Sequence, residues 1–182
     1  NFVNKSTPLA GGSTGTGIGI FIDYPGVDSR DGCEDILVTR NTISNTGKGS
    51  TSNTEVGGAG IFVLHSRRVT IAFNLVQSCL NGIVVWGGNS VADRSQNVEV
   101  YNNTLVYNDG PGIYVCKIAD LVTVKNNLMF KNTAGVYTET SGAGTITNYT
   151  EMYNLVWDCA DKWTEGNAPT TTAATITTRT PD

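Results

Sequence analysis

Residues 98–115 read VEVYNNTLVYNDGPGIYV, and residues 122–138 answer them with VTVKNNLMFKNTAGVYT. The two stretches share one order: an alternating apolar strand, an Asn, a shorter apolar pair, a second polar corner, and then Gly followed by an aliphatic residue. Working outward, the closing motif returns as Gly19-Ile20-Phe21-Ile22, Gly60-Ile61-Phe62-Val63, Gly82-Ile83-Val84-Val85 and Gly112-Ile113-Tyr114-Val115, and in weaker form as Gly135-Val136-Tyr137-Thr138. The strand before the Asn returns at 36–41, 69–74, 98–103 and 122–127. Identical strand order in every repeat means a solenoid, in which one supersecondary unit stacks on the next.

Period-2 alternation assigns the faces. Val38, Ile71, Val100 and Val124 fall in one interior column, and Leu37, Thr70, Glu99 and Thr123 in an exterior one. By the same alternation Phe73 is expected to point inward with Val69 and Ile71. Ile20, Ile61, Ile83, Ile113 and Val136 form the interior column of the Gly-Ile strand. Asn41, Asn74, Asn103, Asn127 and Asn154 make a column of their own. Asn tolerates the left-handed corner, and stacked amides can bond from coil to coil. Asn45, Ser78, Asn108 and Asn132 read as a second polar column. Helical periodicity is absent and β-branched residues dominate the apolar set.

These strings resemble the parallel β-helix repeat of the pectate-lyase-like superfamily over about residues 17–157. The resemblance implies an all-β, right-handed, single-stranded parallel β-helix of about five coils with three parallel sheets. It is taken as one domain over 1–182, with an irregular tail at 158–182. Members of that superfamily include polysaccharide lyases, hydrolases and epimerases, as well as adhesins and surface proteins without catalysis.

Composition narrows the partners. Charged residues are 15% of the 182, the net charge is −4, and no basic stripe exists, which argues against nucleic acid. Apolar runs stop far short of the ~20 residues of a membrane span. Cys33, Cys79, Cys116 and Cys159 carry no metal-ligand spacing. Cys79 and Cys159 share a column but lie three coils apart, ~14 Å at ~4.8 Å per coil, beyond the reach of a disulfide. The chain opens on Asn1 with no leader-like stretch. A processed chain, a piece of a longer solenoid, or an end-to-end homo-oligomer through open coil ends is therefore expected, at the cell surface or outside the cell.

Loop lengths place the candidate site. The corner after the Gly-Ile strand is long at 23–35 and 87–96, short between them at 65–68, short again at 117–121, and longer at 139–148. A cleft results, with His65, Arg67 and Arg68 on its floor; Arg67 and Arg68 adjoin, so at most one is expected to serve it. Asp23, Asp28, Arg30, Asp31 and Glu34 form one wall, and Asp93 and Arg94 the other. Lys117 lies two coils from His65, ~10 Å. Removing a uronate's C5 proton in β-elimination needs a cation for the carboxylate, a base and an acid, so His65, Arg67, Arg68 and Lys117 are the catalytic candidates. Each is also an ordinary surface residue type. Asp23, Asp28 and Asp31 offer oxygens to Ca²⁺, or form a plain solvated loop. An outward row of Phe21, Phe62, Val84, Tyr114 and Tyr137, with Trp86 beside it, either stacks on sugar rings or lies beneath another segment. Phe62, Trp86, Asp93, Arg94, Tyr114 and Tyr137 are the substrate-binding candidates. The functional expectation is a carbohydrate-facing β-helix, a polysaccharide lyase on an acidic glycan. Its rival is a non-catalytic binding or adhesion solenoid.

Overall fold

The computed structural model describes residues 2–4, 17–23, 33–47, 58–88, 94–139 and 146–165, the first and last strands by backbone alone. The chain enters at β1 (Phe2–Asn4). The first coil is β2 (Ile20–Ile22), β3 (Glu34–Thr39) and β4 (Thr42–Ser44). The second is β5 (Ala59–Leu64), β6 (Arg67–Ala72) and β7 (Leu75–Gln77). The third is β8 (Asn81–Trp86), β9 (Gln96–Tyr101) and β10 (Thr104–Val106). The fourth is β11 (Pro111–Cys116), β12 (Asp120–Lys125) and β13 (Leu128–Phe130). The fifth is β14 (Ala134–Glu139), β15 (Thr150–Met152) and β16 (Leu155–Trp157), and β17 (Asp161–Glu165) follows.

Every strand pairs in parallel with its equivalent one coil away, giving three sheets. Sheet A is β1-β4-β7-β10-β13-β16, sheet B is β2-β5-β8-β11-β14-β17, and sheet C is β3-β6-β9-β12-β15. The expected parallel β-helix is thus the observed fold. The strand ladder also takes in β1 and β17, outside residues 17–157. Ile61 pairs with Ile83 and Ile83 with Ile113, while Ile71 pairs with Val100 and Val100 with Val124. Ile61, Ile83, Ile113, Ile71, Val100 and Val124 are fully buried. Burying each such side chain stabilises the fold by roughly 1.5–3 kcal/mol.

The glycine of the repeated motif has a steric cause. A Cβ on Gly82 would lie 2.2 Å from the Gly112 carbonyl oxygen, and one on Gly19 would lie 2.5 Å from that of Gly60. The coils approach too closely there for any side chain.

The Asn column forms a continuous amide ladder. Nδ2 of Asn41, Asn74, Asn103 and Asn127 each donates to Oδ1 of the next Asn at 2.9–3.0 Å, ending at Asn154. The backbone N–H of each donates to the same oxygen. The left-handed conformation, however, belongs to the residue before each Asn. Arg40, Phe73, Asn102, Asn126 and Tyr153 have φ of 54–58°. This kink breaks the alternation, so Phe73 turns outward and is 55% exposed, contrary to the inward expectation.

The next corner shows a register correction. Asn45, Ser78, Tyr107, Lys131 and Asp158 are the left-handed residues there, and the following column is Thr46, Cys79, Asn108, Asn132 and Cys159. The four-residue polar column read from sequence mixes these two. A second amide ladder runs from the Cys79 N–H to Asn108 Oδ1 and from Asn108 Nδ2 to Asn132 Oδ1. Cys79 and Cys159 do share a column, and all four thiols are unbridged.

Inside the fifth coil the apolar column stops. Glu151 takes the place stacked on Val124, and it is buried. Tyr149 Oη donates to Glu151 Oε2 at 2.9 Å, and Asn154 Nδ2 donates to Oε1 at 3.2 Å. Burial pushes this carboxyl up from its ordinary range, and the two hydrogen bonds only partly offset it.

Candidate functional site

Sheet B strands hand the chain to sheet C at the edge where the expected cleft lies. A row of small side chains closes this corner. Cys33 Sγ, Ser66 Oγ and Ser95 Oγ donate to the carbonyls of Asp23, just past β2, and of Leu64 and Trp86, the last residues of β5 and β8. This caps each strand end and leaves the next residue to turn outward.

His65 and Lys117 both hold left-handed conformations, φ 48° and 64°. Such corners throw the side chain clear of the sheet. His65 Nδ1 lies 3.3 Å from Asp23 Oδ1, and both are partly exposed. Lys117 Nζ stands over the Trp86 ring, 5.1 Å from its centroid. That geometry is a cation–π contact, and it fixes the half-buried indole in place.

Arg67 and Arg68 lie on β6, and each pairs with an acidic residue one coil away. Arg68 Nη2 meets Glu34 Oε2 at 2.5 Å and Arg68 Nε meets Asp35 Oδ1 at 2.7 Å, while Arg67 Nη1 is 3.9 Å from Glu34 Oε1. Both guanidiniums therefore converge on Glu34. The hydrogen bonds that Arg68 donates to Asp35 and Glu34 raise its pKa further, and Arg68 in turn lowers that of Asp35. Arg68 faces a separate depression of 530 Å³ on the outside of sheet C, lined with Leu37, Thr70, Glu99 and Tyr101.

Asp120 is a residue that the sequence reading missed. It is buried at the start of β12. Thr147 Oγ1 and Asn148 Nδ2 donate to Oδ1 at 2.7 and 2.9 Å, Gln96 Nε2 donates to Oδ2 at 3.2 Å, and Arg94 Nη1 lies 3.6 Å from Oδ2. Burial opposes ionisation, but the bonds from Thr147 and Asn148, the Arg94 charge and the Leu121 N–H outweigh it, so the carboxyl sits below its ordinary value. One carboxylate thus ties three successive coils together. Arg94, expected as a wall of the cleft, is part of that tie. The available signal was an Asp standing in the column of Glu34, Arg67 and Gln96.

The ring row resolves in favour of cover. Phe62, Val84 and Tyr114 point away from the bore, as alternation requires, but they are 3%, 0% and 6% exposed. They form a second apolar cluster with Ala59 and Cys116, and Leu64, Trp86 and Tyr137 pack against it. Phe62 and Tyr114 thus present no ring face to a ligand. Tyr114 Oη also donates to Glu139 Oε2, and its ring lies 4.9 Å from that of Tyr137. Phe21, at 51% exposure, remains open and stacks on Phe62.

Asp28, Arg30, Asp31 and Asp93 lie outside the described residues, and two of the three oxygen donors of the calcium expectation, Asp28 and Asp31, are among them, while the third, Asp23, lies beside His65. Among the described residues no group of three His, Cys, Asp or Glu side chains could hold a metal ion. No described helix could cross a membrane.

No curated protein and no solved structure matches the chain. A family model described as a right-handed beta helix region matches residues 22–150. With that match over most of its length, three parallel sheets and an unbroken amide ladder, the chain belongs to the right-handed β-helix family.

Proposed function

We propose that this β-helix is carbohydrate-facing and holds an acidic glycan along the edge between sheets B and C. The observation that carries this reading is the Lys117–Trp86 pair, a cation fixed at 5.1 Å over an aromatic ring. His65 stands two coils away at the same edge. An ammonium held against an aromatic ring can recognise a uronate through its carboxylate, while the rest of the indole meets the apolar ring face of the sugar. The edge is rigid because Asp120 and the serine row brace it, and bracing of this kind lowers the entropy lost on binding.

Binding without turnover is the form the geometry favours. β-Elimination needs a base and an acid besides a cation on the uronate carboxylate; with Lys117 given to the carboxylate and Arg67 and Arg68 paired with Glu34 and Asp35, His65 alone of the four candidates remains for both proton transfers. One contact favours the catalytic reading: Asp23 engages Nδ1 of His65 and leaves Nε2 to accept a proton. A glycan array carrying alginate, polygalacturonate and glycosaminoglycans separates the two. Binding that falls about tenfold in both Trp86→Ala and Lys117→Ala supports the edge. Unaltered binding in both variants refutes it. Ultraviolet absorbance from an unsaturated uronate, lost in His65→Ala, would establish the lyase reading; a flat trace with and without Ca²⁺ removes it.

A further inference from the structure

A row of rings that is open to solvent lies on another face, where sheet A turns toward sheet B. Tyr107, Phe130 and Trp157 come from the third, fourth and fifth coils. Their centroids are 5.5 Å apart between Tyr107 and Phe130, and 5.3 Å between Phe130 and Trp157. Tyr107 is 50% and Trp157 56% exposed, with the less exposed Phe130 supporting both. Lys131 Nζ stands 5.9 Å from the Tyr107 centroid and 5.3 Å from that of Phe130, and pairs with Asp158 at 3.7 Å. Beside the rings lies a depression of 610 Å³, lined by Tyr107, Asp109, Lys131, Thr133 and Asp158.

We infer that this row is a stacking platform for a neutral, linear glycan. Three features choose that occupant. The rings form a line along the solenoid axis, not a round patch, so an extended ligand fits them. The two exposed rings are two coils apart, roughly 10 Å at ~4.8 Å per coil, which suits a polymer that turns the same face outward at every second sugar. The depression supplies hydroxyl partners from one cation and two carboxylates, and that balance repels polyanions while serving neutral hydroxyl groups. The site is separate from the edge proposed above and does not depend on it.

Affinity electrophoresis of the whole chain in gels carrying xylan, glucomannan or β-glucan tests the inference, with polygalacturonate as the charged comparison. Retardation is expected in at least one neutral gel. Trp157→Ala is expected to weaken it about tenfold, as loss of an aromatic contact implies. Trp157→Tyr should retain most of it, and Leu37→Ala, on the outside of sheet C, should leave it unchanged. Tyr107→Asn removes the other ring but suits the left-handed corner at φ 57°, so it separates loss of binding from loss of fold. Retardation by none of the neutral polymers overturns the inference. So does retardation that survives the Tyr107→Asn, Trp157→Ala pair. A fall in oligomer size in that double variant, read by light scattering without any glycan binding, would instead assign the face to a second copy of the chain.

Discussion

Asn103 sits at the middle of the amide ladder, and replacing it by Ala tests what holds the coils in register. Its Oδ1 accepts from the Asn74 N–H and Nδ2, both at 3.0 Å. Its Nδ2 donates to Asn127 Oδ1, Ile71 O and Tyr101 O at 2.9–3.1 Å. In the Ala variant the Asn74 amide retains Val38 O and Ala72 O, and Asn127 Oδ1 retains the residue-103 N–H. The Asn74 N–H loses its side-chain acceptor and Ile71 O loses a donor, both in the buried interior. At roughly 1–3 kcal/mol per buried group left unpaired, the loss is ~2–6 kcal/mol. The neighbouring Asn102 is exposed and left-handed at φ 54°. Asn102→Ala touches no ladder bond and should cost only ~1 kcal/mol, the strain of a Cβ in that region. Urea unfolding followed by circular dichroism reads both as shifts in midpoint. An Asn103→Ala loss below ~1 kcal/mol, or an equal loss in the two variants, refutes the claim that the ladder specifies the stacking.

Four further outcomes follow from the same coordinates. Gly82→Ala places a Cβ 2.2 Å from the Gly112 carbonyl, and thermal melting should show a loss of ~2–3 kcal/mol. Glu151 has a raised carboxyl pKa, so the folded chain binds more protons than the unfolded one above pH 4.5; stability is full below that pH and falls as pH rises through the folded value. Melting curves of Glu151→Gln should lack that decline. Asp120 has the opposite sign: its stabilisation is present above pH 3.8 and is lost as pH falls through the lower folded value, and Asp120→Asn should flatten the acid limb. Val124→Ala empties a fully buried site in the bore and should cost ~2–3 kcal/mol in urea.

The interior columns were legible because stacking repeats one choice in every coil. Val38, Ile71, Val100 and Val124 betray their shared environment by likeness alone. The left-handed corners were not legible. Arg40, Phe73 and Lys131 have no intrinsic taste for that region, and the ladder bonds of the following residue impose it. The two polar columns were merged for the same reason, since a one-residue offset is invisible when Asn occurs in both. Cover over Phe62 and Tyr114 comes from packing distant in sequence, which alternation cannot report. Tyr107 sits at a corner while Phe130 and Trp157 sit on strands, so no single column held the open rings. Glu151 departs from its apolar column in one coil only, and Asp120 stands in a column that changes residue in every coil, so a reading built on repetition passes over both.

The amide ladder also has a sense of direction. Every ladder Asn oxygen looks back toward the preceding coil, and each Nδ2 from Asn41 to Asn127 sends one hydrogen on to the next Asn oxygen, so the side-chain dipoles from Asn41 to Asn154 align head to tail. Their positive ends sum at Asn154, where the Glu151 carboxyl receives the final hydrogen. An acidic residue at the first turn of a helix answers the peptide dipole in the same way. The solenoid therefore has a front and a back that are electrically distinct, although its three sheets look alike from either end.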